Sequence, residues 1–167
     1  FLTFLMSCIT IWLVYPYHDL LEQFSFSLNG EGRNDWWYCV VGIGLIEETV
    51  KIIPFLIMLR FSKEVDEPFD YILYGSVSAL GFAFIENIQY LKEWNLTSVL
   101  GRTLYASLAH MFFTSLITYG IAIAHYKKPS WKPFALPVML LIAAVFHGFY
   151  DFWLINNTFN MSWVTTL

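Results

Sequence analysis

The stretch "GLIEETVKIIPFLIML", residues 44–59, is apolar apart from Thr49 and three ionisable residues, Glu47, Glu48 and Lys51. A charge at the centre of a membrane helix costs at least roughly 2.5–3.5 kcal/mol on insertion scales, so two adjacent carboxylates there need a chemical reason. Residues three and four apart share a helix face, which puts Lys51 beside both glutamates. An amine one turn on lets a carboxylate pair hold a single proton between them, and desolvation makes a glutamate a better acid–base group near neutrality. Other ionisable residues fall inside apolar segments too: Glu86 with Asn87, then His110, then His147 with Asp151. His147 and Asp151 are four apart, so the carboxylate can orient the imidazole and set its tautomer.

Peptide hydrolysis inside a membrane needs water at depth, a base to activate it and donors for the oxyanion. On these residues Glu47 is the preferred base and Glu48 its proton-sharing partner. His147 is the electrophilic or oxyanion donor, oriented by Asp151. Glu86, Asn87 and His110 complete a polar wall or a metal site. Lys51 is equally a structural charge partner of the glutamates, and Asn87 a simple bridge between helices. No H-E-x-x-H zinc signature occurs. None of Ser76, Ser78 and Ser107 has a nucleophile context, and Asp151 has no second intramembrane aspartate for an aspartyl dyad. Glu47, Glu48, Glu86, His110, His147 and Asp151 are all ligands suited to Zn2+, with Glu86, His110 and His147 the first candidates. The sequence leaves open whether a metal or a glutamate alone activates the water, so no cofactor is certain.

The elements that must position these groups are membrane helices. Of 167 residues, 57% are hydrophobic and 13% charged, about half the charge of a soluble domain. Aromatics make up 20%, including seven Trp and ten Tyr, as suits lipid–water boundaries. The net charge of −4 argues against a nucleic-acid surface. Cys8 and Cys39 have neither metal-ligand spacing nor a disulfide framework. Apolar segments run approximately from Trp36 to Arg60, Phe69 to Lys92, Arg102 to His125 and Pro133 to Ile155, each long enough to span. The opening "FLTFLMSCITIWLVY" reads as a helix that begins upstream. About five spans are therefore visible, in an all-α polytopic bundle that is part of a larger multi-span protein. Residues 1–167 form one transmembrane domain whose motif-bearing core is about 36–157. The segment "PYHDLLEQFSFSLNGEGRND" reads as a loop, and its His18, Asp19 and Glu22 as solvated.

Counted from the presumed outer helix ends at about 1.5 Å per residue, the buried ionisable groups all lie roughly 9–16 Å deep. A shared depth is what one site requires. Arg60, Lys63, Lys127, Lys128 and Lys132 outnumber Arg33, Lys92 and Arg102 on the other side. The positive-inside rule then puts the site nearer the extracytoplasmic half of a cell membrane. Gly75, Ala79 and Ala83 form a small-residue stripe for close helix approach, and Ser107 and Thr114 flank His110. Asn-x-Ser/Thr triplets at Asn95, Asn156 and Asn160 would face outward.

Three motifs occur in order: "EETVK" at Glu47–Lys51, "FAFIEN" at Phe82–Asn87 and "HGFYD" at His147–Asp151, with His110 between the second and third. This set resembles the PrsW family of intramembrane proteases, marked by E-E-x-x-K, F-x-x-x-E-N and H-x-x-x-D, and related to the CAAX-processing and bacteriocin group. The resemblance covers roughly residues 40 to 155. It implies a helical bundle that cleaves membrane-anchored proteins in the lipid bilayer, with Glu47 and Glu48 the catalytic pair and His147 the principal histidine. Bacterial members make the first cut in a single-span anti-sigma factor. Prenyl-protein relatives carry E-E-x-x-x-R, F-x-x-x-H and H-x-x-x-N; Lys51, Glu86 and Asp151 point away from a CAAX substrate. Two other classes compete: a proton- or ion-coupled transporter built on the same carboxylate–histidine cluster, for which Gly42 and Gly44 would permit unwinding, and a non-catalytic assembly or immunity protein.

Overall fold

The computed structural model describes residues 1–93 and 96–158; the side chains of 93, 96–99, 101, 102 and 156–158 lie outside that description. The expectations placed on the Asn95, Asn156, Asn160 and Arg102 side chains fall there. All regular structure among the described residues is helical, with no strand. Helix α1 (Leu2–Thr10) runs through a 3-10 turn at Ile11–Leu13 into α2 (Val14–Gln23). Helix α3 (Gly32–Trp37) runs through a π-helical segment, Tyr38–Leu45, into α4 (Ile46–Phe61). Helices α5 (Pro68–Glu93), α6 (Leu96–Tyr126) and α7 (Lys132–Thr158) follow.

Four helical runs are long and apolar enough to cross a membrane: Leu2–Gln23, Pro68–Lys92, Thr103–Tyr126 and Pro129–Ile155. The continuous run through α3, the π segment and α4 supplies the length of a fifth, with Glu47, Glu48 and Lys51 in its middle. Three of the expected spans agree to within a few residues. Two departures matter. The segment read as a loop from Pro16 is helical as far as Gln23: Ile11, Val14, Tyr15 and His18 recur at helical spacing along one side, with Ile11 and Val14 buried and His18 bonded to the Gly42 carbonyl. Gly42 and Gly44 sit not in an unwound break but in a π segment, where each backbone bond reaches one residue further than in an α-helix.

Packing explains both glycine and motif positions. A Cβ on Gly44 would lie 2.6 Å from the Ala144 carbonyl oxygen, and one on Gly148 2.5 Å from Val40 Cα. The π segment and α7 therefore meet backbone to backbone, with His147 next to the contact. Helix α5 packs on α6 and α1, and its stripe residues Ala79 and Ala83 are buried. Ser78 Oγ donates to the Lys51 carbonyl at 2.5 Å, tying α5 to the backbone of the first motif. Phe55, Tyr71, Ile117 and Ala143 form one apolar cluster across α4–α7, and Ile11, Val14, Val50 and Phe82 a second. Burying a side chain of this size stabilises by about 1.5–3 kcal/mol in water, a driving force that close packing must replace in lipid.

Candidate active site

Glu47, Glu48 and Lys51 lie in the first turns of α4, just past the π segment. All three are buried, Glu48 and Lys51 completely. Lys51 Nζ donates to Glu47 Oε2 at 2.9 Å, to Glu48 Oε1 at 3.0 Å and to His110 Nδ1 at 2.7 Å. An ammonium has three hydrogens, and all three are used. The Phe82 ring lies 4.5 Å from Nζ, adding a cation–π contact, and packs edge-on to His110. The first residue of "FAFIEN" thus holds the lysine of "EETVK".

Each histidine is clamped by a carboxylate at one nitrogen; at the other, His110 meets Lys51 and His147 faces Glu47 and Asp151. His110 Nε2 lies 2.8 Å from Glu86 Oε2, and His147 Nδ1 lies 2.9 Å from Glu48 Oε1. An ionised carboxylate only accepts, which in the neutral imidazoles assigns the proton to His110 Nε2 and to His147 Nδ1. The opposite nitrogens, His110 Nδ1 and His147 Nε2, then carry lone pairs. His147 Nε2 faces Glu47 Oε2 at 3.6 Å and Asp151 Oδ2 at 3.3 Å. The Asp151 contact is not aligned as a hydrogen bond, and Oδ2 is buried with no hydrogen-bond partner among the described residues. Phe113 stacks on His147 with centroids 5.1 Å apart. Thr114, the neighbour of His110 on its helix face, donates to Glu48 Oε2 at 2.7 Å.

Every residue of the three motifs singled out from the sequence therefore comes to one place, except that Asn87 stands aside, its Nδ2 3.5 Å from Ser107 Oγ. One oxygen or nitrogen from each of Glu47, His110 and His147 lies within 4.8 Å of the others, all three residues buried. Glu86, a first ligand candidate on sequence grounds, instead stands behind His110. Converging lone pairs, with an orphaned Asp151 oxygen beside them, are the chemistry of a cation site, and two histidines with one carboxylate suit a catalytic zinc with an open position. The donor set fits a metal ion. Carboxylates on the far side of both imidazoles are the usual outer support of such ligands.

A cavity of about 260 Å³ reaches this cluster, lined by Val14, Tyr15, His18, Glu47, Glu86 and Gln89 among others. His18 Nε2 is 3.0 Å from the Gly42 carbonyl, so it anchors α2 to the π segment. Gln89 Nε2 is buried with no hydrogen-bond partner among the described residues. Neither His18 nor Gln89 was singled out as functional from the sequence. The signal for the first was the Ile11–Val14–Tyr15–His18 spacing; for the second, its place one turn beyond Glu86.

Membrane-crossing helices closed around carboxylates and paired histidines, with a cavity admitting water, define an intramembrane hydrolytic centre of the metalloprotease class. The model of the PrsW family of intramembrane metalloproteases matches residues 1–167, and the chain belongs to that family. Among curated relatives, the protease PrsW of Shouchella clausii is 29% identical over 91% of this chain and 69% of its own length. That of Clostridioides difficile is 32% identical over 89% of this chain and 64% of its own length. That of Bacillus subtilis is 26% identical over 84% of this chain and 63% of its own length. The chain thus spans about two-thirds of the length of these relatives. No solved structure matches it.

Proposed function

We propose that this chain is the catalytic domain of an intramembrane endopeptidase, and that its whole length forms one such domain. The observation that carries the reading is the pair of carboxylate-clamped histidines that converge with Glu47, one donor atom from each within 4.8 Å of the others, at the wall of a cavity. Glu47, His110 and His147 hold a metal ion, Zn2+ in the first instance. When bound, it supplies Lewis-acid polarisation of the scissile carbonyl and a nucleophilic water at neutral pH.

The protein's own groups do the rest. Glu48 keeps His147 in the tautomer that leaves Nε2 free, and Glu86 does the same for His110 Nδ1. Glu86 lines the cavity opposite Glu47, takes the proton of the attacking water and returns it to the leaving amine. Gln89 Nε2 donates to a backbone carbonyl of the substrate. In this reading Glu47, the base preferred from sequence, is a ligand. The substrate is a membrane-anchored protein, with a single-span anti-sigma factor the first to try because of the family resemblance. Lysine and arginine placement favours a site in the extracytoplasmic half.

The test is cleavage of a panel of single-span proteins in proteoliposomes by wild type, Glu47→Gln and His147→Ala, with and without chelator. Cleavage that both substitutions abolish, that chelator stops and Zn2+ restores, is the expected result. A folded His147→Ala variant that cleaves at the full rate would overturn the assignment.

A further inference from the structure

The group nearest the centre of the donor set is a side chain. Lys51 Nζ touches Glu47 Oε2 at 2.9 Å and His110 Nδ1 at 2.7 Å, and these atoms carry two of the lone pairs assigned to the metal. His110 Nδ1 has a single lone pair, so an ammonium and a metal ion cannot both use it, and two cations crowded on Glu47 Oε2 would repel each other. Lys51 also holds a third contact, to Glu48 Oε1 at 3.0 Å, and Glu48 stands outside the converging set of Glu47, His110 and His147. Glu48 Oε1 accepts from both Lys51 and His147, while Oε2 accepts from Thr114. The side chain is fully buried, with Nζ over the face of the Phe82 ring.

We propose that Lys51 is a resident cation that trades places with the metal. Entry of the ion requires Nζ to release Glu47 and His110 and to retract onto Glu48, which acts as the lysine's parking acceptor. The inference rests on the metal reading of the site, and it gives the lysine of "EETVK" a specific task. The site is never without a cation: the ammonium guards the carboxylates and the His110 lone pair until an ion displaces it. Metal affinity is consequently set below what the ligands alone would give.

Co2+ titration of the purified full-length protein in detergent, read by visible absorption, tests this without any substrate. Lys51→Met should bind Co2+ at least about tenfold more tightly than wild type, a gain of about 1.4 kcal/mol. Removing a positive charge would by itself raise affinity, so a cycle with Glu48→Gln isolates the parking role. Glu48→Gln should weaken Co2+ binding markedly in wild type and by several-fold less in the Lys51→Met background, because the lysine no longer needs a place to go. Lys51→Gln carries the same comparison if Lys51→Met does not fold. Equal or weaker binding by the Lys51 variants, or a Glu48→Gln effect of the same size in both backgrounds, would overturn the exchange while leaving the metal site standing. Absence of Co2+ binding in every variant, wild type included, would remove the metal site and the exchange together.

Discussion

His147 Nδ1 and Glu48 Oε1 lie 2.9 Å apart although 99 residues separate them in the chain. Both side chains are buried, and Glu48 serves Lys51 and Thr114 as well. One carboxylate therefore joins α4, α6 and α7. Its oxygens are committed to protein donors, the bonding of a clamp, and the proposed mechanism gives it no proton to take.

Glu48→Ala should cost about 3–5 kcal/mol, the usual penalty for stranding a buried charge by removing one partner. Denaturant unfolding in detergent, followed by tryptophan fluorescence, measures it. A loss below about 1 kcal/mol, the range of an exposed pair, would contradict the clamp.

Glu86 is asked to hold His110 and to move a proton, and two substitutions separate these roles. Glutamine still accepts from His110 Nε2, so Glu86→Gln should keep most metal affinity while kcat falls about 10²–10⁴-fold. Alanine removes the support as well, and Glu86→Ala should lose a further 10–100-fold or so in metal affinity. Equal metal contents in the two variants would show that Glu86 gives His110 no support.

The contact of Gly148 with Val40 leaves no room for a methyl group. Gly148→Ala should destabilise by about 1–3 kcal/mol through overpacking and move His147 away from Glu48. Thermal unfolding together with Co2+ affinity checks both effects. A variant as stable as wild type, with unchanged Co2+ affinity, would mean that the close approach does not set the register of the site.

Val14 lines the cavity and offers no ligand atom. Val14→Phe should lower kcat/KM for a protein substrate about tenfold, in the range for one misfit group in a pocket, and leave metal content unchanged. Unaltered kcat/KM would show that substrate reaches the site by another route.

Much of this was legible in the chain. Charges in apolar helices are costly enough to stand out, so Glu47, Glu48, Glu86, His110, His147 and Asp151 announced themselves, and their similar depth foretold that they meet. Which nitrogen faces which oxygen could not be read, because that depends on the rotation of four helices. The π segment disturbs that rotation most: it carries one extra residue per turn, and no 3.6-residue periodicity reports it. The helix at Val14–Gln23 was hidden for a different reason. His18, Asp19, Glu22 and Gln23 make it polar enough to pass for a loop, although only one of its faces is buried.

Both ion pairs of Lys51 with Glu47 and Glu48 lie within a single helix, at spacings of four and three residues. A helix inserted before His110, 59 residues beyond Lys51, and the still later His147 are made can rely on no group beyond its own. Lys51 gives the two carboxylates a partner at that moment, with no contribution from later segments. A helix that would otherwise present two unpaired charges to the insertion machinery arrives with its neutralising group aboard, which lowers the barrier to its integration. The lysine assigned to the finished site thus carries a second consequence, the neutralisation of its own helix.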